Sequence, residues 1–138
     1  MTARFGADAR RLLEGINYAH LATLMADGSP KVDPVWVELQ GDLILVATDA
    51  KSIKAVNVER DARVAMSITA FDDPYDQLLV RGRVVEIRPD DDLVVLDRMS
   101  QKYLGAAFPR RRWSKRLVLA VAADVARHYR SSLRHPQP

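Results

Sequence analysis

The 138-residue chain contains no cysteine, which removes disulfides, thiolate catalysis and cysteine metal sites together. No apolar run is long enough to span a bilayer. The N-terminal stretch MTARFGADARRLLEG carries charges throughout in place of a signal-peptide apolar core, so a cytoplasmic protein is expected. The three histidines, His20, His128 and His135, have no spacing typical of a zinc site, and no metal is expected. The chain lacks G-x-S-x-G, H-E-x-x-H and a Walker loop, so no catalytic residue can be named and a hydrolase is poorly supported. Two acidic clusters fill none of these gaps. Asp72, Asp73 and Asp76 lack calcium-loop spacing. Asp90, Asp91 and Asp92 read more simply as a helix start, where carboxylates meet the positive end of the dipole. Internal repeats and interdomain linkers are also missing, so one domain over 1–138 is expected, with its core at about 18–129 and a flexible tail at 131–138.

What is present is an ordinary globular composition with one uneven charge distribution. The net charge is only +3, yet seven basic residues and no acid lie between Arg98 and Arg116, so the rest of the chain is net acidic. A local basic segment on an acidic chain suggests an anionic ligand or partner at one place; the plainer reading is a solvated basic loop. Nucleic acid would want aromatics interleaved over a wide basic face, and only Trp113 is available, so no nucleic-acid partner is expected.

Hydrophobic periodicity orders the chain. Ala7–Gly15 predicts a short helix with Leu12, Leu13 and Ile16 as its apolar stripe. Period-two strands are expected at Tyr18–Met25, Lys31–Leu39 and Leu43–Thr48, separated by turns at Asp27-Gly28 and Gly41-Asp42. Pro34 cannot donate a ladder hydrogen bond and marks an edge or bulge. The dense apolar run of the third strand suggests burial on both faces. Ser52–Arg60 predicts a helix with Ile53, Val56 and Val58 inward. A strand at Val64–Thr69, a loop at Phe71–Asp76 and a long strand at Gln77–Ile87, bent at Gly82, follow. A helix begins at Pro89-Asp90 and closes at Gly105, Ala106–Lys115 is a loop, and Leu117–Val125 is the last strand. Six strands with tight turns and three short helices argue for a mainly β protein, a closed or nearly closed antiparallel barrel.

One constellation carries chemistry. Thr48, Lys51, Ser52, Lys54 and Asn57 place two hydroxyls, two ammonium groups and the free N–H groups of a helix start close together, which suits a phosphate or carboxylate. A helix capped by Ser52 or Asp49 with solvated lysines explains the same residues without a ligand.

The ordered set His20-Leu21-Ala22-Thr23-Leu24, Asp27-Gly28-Ser29-Pro30, Val32-Asp33-Pro34-Val35-Trp36-Val37, Gln77 five residues before Gly82, and Tyr103-Leu104-Gly105 resembles the pyridoxamine-phosphate-oxidase-like superfamily of FMN-binding split β-barrels. The likeness is nearest to its F420-dependent (deazaflavin) oxidoreductase branch and runs from about His20 to Tyr129. It implies a homodimer of six-stranded split barrels with cofactor sites at the subunit interface. The strand Val32–Val37, with Val35, Trp36 and Val37 in it, would run beside the tricyclic ring and the ribityl chain. Thr48, Ser52 and Lys54 would hold the phosphate, with Lys51 and Asn57 near the same group and Gln77 reaching the cofactor. Tyr103, Arg110, Arg111 and Trp113 of the other subunit would complete the pocket. Coenzyme F420 adds a polyanionic tail that FMN lacks, and the run Arg110–Arg116 offers it a partner, so F420 is expected ahead of FMN. Each exposed ion pair contributes only ~0.2–1 kcal/mol, so several would act together, and binding would weaken with salt.

Three functions follow: an F420-dependent reductase of an unsaturated small molecule, an FMN-binding flavoprotein (oxidoreductase or carrier), and a non-enzymatic dimer that binds an anionic partner. The chain is shorter than the vitamin-processing oxidases of the superfamily and lacks their C-terminal extension, which points away from pyridoxamine phosphate oxidation.

Overall fold

A computed structural model describes residues 3–109 and 115–134. Helix α1 (Ala7–Glu14) leads into strands β1 (Ala19–Leu24), β2 (Pro30–Val35), β3 (Glu38–Gln40) and β4 (Leu43–Asp49). Helix α2 (Ile53–Arg60), strands β5 (Arg63–Ala70) and β6 (Asp73–Pro89), helix α3 (Val94–Leu104) and strand β7 (Arg116–Arg130) follow. The strands form one antiparallel sheet of order β2-β1-β5-β6-β7-β4-β3. Residues from both ends of that order, Leu21 of β1 and Ile44 of β4, enter the same core, so the sheet is curled into the expected split barrel. The split falls between its edge strands β2 and β3, which are neighbours in the chain.

That split corrects the strand count. The sequence predicts one strand over Lys31–Leu39, whereas the backbone leaves the sheet at Trp36-Val37 and resumes at Glu38, giving seven strands in place of six. Pro34 lies on edge strand β2, where its missing N–H costs no ladder bond.

Leu12 and Leu13 of α1 are fully buried with Leu21, Ile68, Leu78 and Leu119. Their helix therefore plugs the barrel, and truncating either to Ala would be expected to cost about 2–5 kcal/mol. The dense β4 run is buried on both faces, as its composition predicts. Ile44 and Val46 face the barrel core, while Leu45 joins Met99, Val118 and Ala120 beneath α3. Gly82 sits at a register shift between β6 and β7, and a Cβ there would lie 2.0 Å from the Ala122 carbonyl oxygen, so only glycine permits the close approach.

Several element details differ from the periodicity reading. Ile16 is exposed beyond the end of α1. In α2, Ile53 and Val56 are about half exposed and the inward face is Ala55, Asn57 and Val58. β6 starts at Asp73, taking in most of the expected loop, and β7 runs on to Arg130. Helix α3 begins at Val94, later than the Pro89-Asp90 expected. Asp90 instead reaches forward from a buried position, its carboxylate accepting from the N–H groups of Val95 (3.2 Å) and Leu96 (3.0 Å). A side chain doing the work of a cap from outside the helix is not visible in a spacing rule.

Candidate functional site

The split between β2 and β3 opens onto a cavity of about 360 Å³. Its walls come from seven separate stretches of the chain. Pro34, Val35 and Trp36 supply the strand side, and Ala47 of β4 the floor. Leu96 of α3 and Phe108 also line it. Tyr18, Lys54 and Arg116 complete the rim. Among the described residues the lining contains no carboxylate.

At one end the lining is cationic. Thr48 at the end of β4 shares a 2.8 Å hydrogen bond with Ser52, and Ser52 caps α2 by accepting from the Ala55 N–H at 3.2 Å. Two residues on, Lys54 points to the cavity. Arg116 arrives from the other direction because β4 and β7 pair with Asp49 opposite Arg116, and Ala50 donates to the Lys115 carbonyl at 2.8 Å. Among the described residues neither Lys54 nor Arg116 forms an ion pair; the Arg116 guanidinium lies 5.1 Å over the Phe108 ring. Two unpaired cations, two hydroxyls and the positive end of a helix without acids in its first turn are a combination that could hold an anion.

At the other end the lining is aromatic. The Trp36 indole stacks on Tyr103 at 5.2 Å with planes 5° apart, and Phe108 meets it edge-on at 6.1 Å. Tyr18 leans on Tyr103 at 5.6 Å and on exposed Phe71 at 6.1 Å. The Tyr18 hydroxyl has no hydrogen-bond partner among the described residues. Tyr103 is the opposite case: its hydroxyl accepts from the Val37 N–H at 3.2 Å and donates to the Asn17 carbonyl at 2.7 Å. Burial raises its pKa further above the ordinary tyrosine value.

The residues expected from the sequence thus separate. Val35, Trp36 and Lys54 line the cavity, and Thr48 and Ser52 sit at its cationic end. Lys51 is exposed at the start of the same turn. Val37 buries its side chain in the barrel core, so only its backbone lies near the site. Asn57 is buried on another side of α2, giving its amide to Thr23 and Met25 and accepting from Arg60. Gln77 pairs with Thr69 and Tyr129 on the outer face of the sheet, away from this cavity within one chain. Tyr103 contacts Trp36 of its own chain and stands behind it, outside the lining. Arg110, Arg111 and Trp113 lie outside the described residues.

Tyr18, Ala47, Leu96 and Phe108 were missed, and Arg116 was named only within the basic run. Arg116 had a signal, the acid-free basic run, but its place opposite Asp49 depends on strand register. Phe108 is tacked onto α3 by its N–H donating to Asp97 at 3.2 Å, and the preceding turn by Ser100 donating to the Ala106 carbonyl at 2.6 Å.

The family model of pyridoxamine 5'-phosphate oxidase matches residues 5–129. The chain belongs to this family. Among solved structures, one named F420 reductase is 31% identical, covers 86% of this chain and 94% of its own, and superposes with a TM-score of 0.79. The conserved hypothetical protein Rv2991 from Mycobacterium tuberculosis is 23% identical, covering 99% of this chain and 93% of its own at a TM-score of 0.75. General stress protein 26 from Bacillus anthracis is 18% identical, covering 88% and 91% at a TM-score of 0.68; these last two share the fold. No curated protein matches the chain. Among the described residues no helix is long and apolar enough to cross a membrane.

The pyridoxamine-oxidase fold is one that binds flavin-type cofactors, and the residues here fit such a group. The cationic end suits its phosphate, and the slot faced by Trp36, Pro34 and Val35 suits a flat ring system.

Proposed function

We propose that the protein is an F420-dependent oxidoreductase that reduces an unsaturated small molecule. The observation that carries the reading is a single cavity in which an unpaired cationic end, Lys54 and Arg116 beside Thr48 and Ser52, is continuous with a slot faced by Trp36. The named F420 reductase at 31% identity supports the deazaflavin, and the basic run Arg110–Arg116 supplies charge for its anionic tail. When bound, the reduced deazaflavin supplies hydride chemistry. Lys54, Arg116 and the two hydroxyls would hold the phosphate. Pro34, Val35 and Trp36 would orient the ring and keep water from one face of it.

The functional unit in this reading is a homodimer. Leu79 and Tyr129 are large apolar side chains left exposed beside Gln77 on the outer face of the sheet, a surface a second copy would cover. Gln77 would then meet the cofactor of the partner subunit. The family match itself favours a second reading, FMN in the same cavity. A fluorescence titration with oxidised F420 and, in parallel, FMN, at low and moderate salt, separates the two. Micromolar or tighter F420 binding, stronger than FMN and weakened by salt, is expected; tight FMN binding without deazaflavin preference would establish the second reading instead.

A further inference from the structure

The split between β2 and β3 leaves Val37 with no sheet partner at the point where the cavity needs a wall. Val37 is fully buried, so neither its N–H nor its carbonyl can turn to water. Both groups are taken by adjacent side chains of α3. The Tyr103 hydroxyl accepts from the Val37 N–H at 3.2 Å, and the Lys102 ammonium donates to the Val37 carbonyl at 2.9 Å. The same two side chains fasten the end of α1: Lys102 donates to the Leu13 carbonyl at 2.9 Å and Tyr103 to the Asn17 carbonyl at 2.7 Å. Buried Asn17 extends the brace, its amide donating to the Leu12 carbonyl and accepting from the Phe71 N–H.

The consequence is the pose of Trp36, the residue before Val37. Its indole lies parallel to Tyr103, with planes 5° apart. Tyr103 is outside the cavity lining while Trp36 is in it. One face of the indole is therefore backed by Tyr103, and the residue lines the cavity while packing against the cluster of Leu45 and Met99. Phe108 stands perpendicular to the indole at 6.1 Å and lines the same cavity. A flat aromatic surface held from behind in this way is matched by a planar conjugated ring.

We propose that Lys102 and Tyr103 are positioning residues which, by bonding the Val37 backbone across the split and backing the indole, hold Trp36 flat as the stacking wall for the planar ring of the ligand. Neither side chain needs to touch that ligand. The pose of Trp36 belongs to the free protein; only the identity of the ring rests on the proposed function. The arrangement also accounts for a half-buried lysine that the proposed anion site does not use.

The test is made in a Trp113→Phe background, so that emission reports Trp36 alone. Tyr103→Phe keeps the stacked ring and removes both hydroxyl bonds; Lys102→Met removes the ammonium; Lys102→Gln retains a donor. Acrylamide quenching and the emission maximum are read on the free protein, and binding of F420 and FMN is read by titration. The expected result is an increase in Trp36 quenching of about twofold or more and a roughly tenfold loss of affinity for whichever flavin binds, as for removal of a hydrogen bond to a charged group, with partial rescue by Lys102→Gln. Folded variants with Trp36 emission and quenching identical to the parent would overturn the proposal. Were Lys102→Met to lose its far-UV signature, Tyr103→Phe decides alone. If the variants change Trp36 in the free protein while neither flavin binds the parent, the positioning role stands and the cofactor reading fails.

Discussion

Helices α2 and α3 flank the same cavity and serve it in different ways. α2 acts through neighbours in sequence: Ser52 caps it, Thr48 lies four residues earlier, and Lys54 two residues later. α3 acts across the fold, with Lys102 and Tyr103 reaching residues 65 to 89 positions away. A site built from local groups survives small tertiary shifts because the turn that makes it stays intact. A site built from distant groups is only as exact as the packing that brings them together.

Four changes would break or sharpen that contrast. The largest effect is expected at Asp90, whose buried carboxylate accepts from two N–H groups at the start of α3. Asp90→Ala should cost about 3 kcal/mol in urea unfolding, since each hydrogen bond to a charged group contributes roughly 1.5–3 kcal/mol. It should also redshift Trp36 while leaving the α2 anion site able to bind inorganic phosphate. Loss of phosphate binding together with the Trp36 change would show the two helices are not separable. Lys54→Ala should do the reverse: roughly tenfold weaker cofactor binding, about 1.4 kcal/mol, with stability within about 0.5 kcal/mol of the parent. Unchanged binding in the titration would remove Lys54 from the anion site. Ser52→Ala should cost about 1 kcal/mol of stability, the usual worth of a cap, along with some affinity, because the same hydroxyl serves the helix and Thr48. Equal denaturation midpoints would show that the cap contributes nothing.

The smallest effect is a pH dependence that belongs to α3. Burial pushes the Lys102 ammonium down from 10.5 to about 8, against the pull of Glu38 and Glu14. In that window the unfolded chain holds a proton the folded chain has released, so stability from this group rises as pH climbs from about 8 toward 10.5. Tyr103, raised by burial, acts oppositely, and only above its ordinary value of 10. Denaturant midpoints at pH 7.5, 8.5 and 9.5 should therefore show the parent gaining stability relative to Lys102→Met as pH rises. A constant difference would mean that Lys102 does not titrate there.

The α2 part of the proposed anion site was legible because Thr48, Ser52 and Lys54 are close in sequence. A strand end, a hydroxyl cap and a lysine two residues on can be read along a single turn, and Gly82 announced its bulge by lacking a side chain. The break at Trp36-Val37 was not legible. Val32 to Leu39 alternates as a continuous strand would, and nothing local says that two α3 side chains will replace the missing partner strand. Asn57 misled for a related reason: it lies close in sequence to Ser52, but helical rotation turns it toward Thr23 and Met25. Arg116 could be seen as basic and not as near Thr48, because that proximity is a register between β4 and β7.

By itself the sequence determined the class of fold, most of the elements, the capped and cationic start of α2 and the family resemblance, since each rests on periodicity, turn chemistry or short ordered motifs. Only the tertiary structure decided where the barrel splits, that Trp36 lines the cavity and what holds it there. Those depend on hydrogen bonds and stacking between residues far apart in the chain, whose energies exist only once the core has placed the partners within reach.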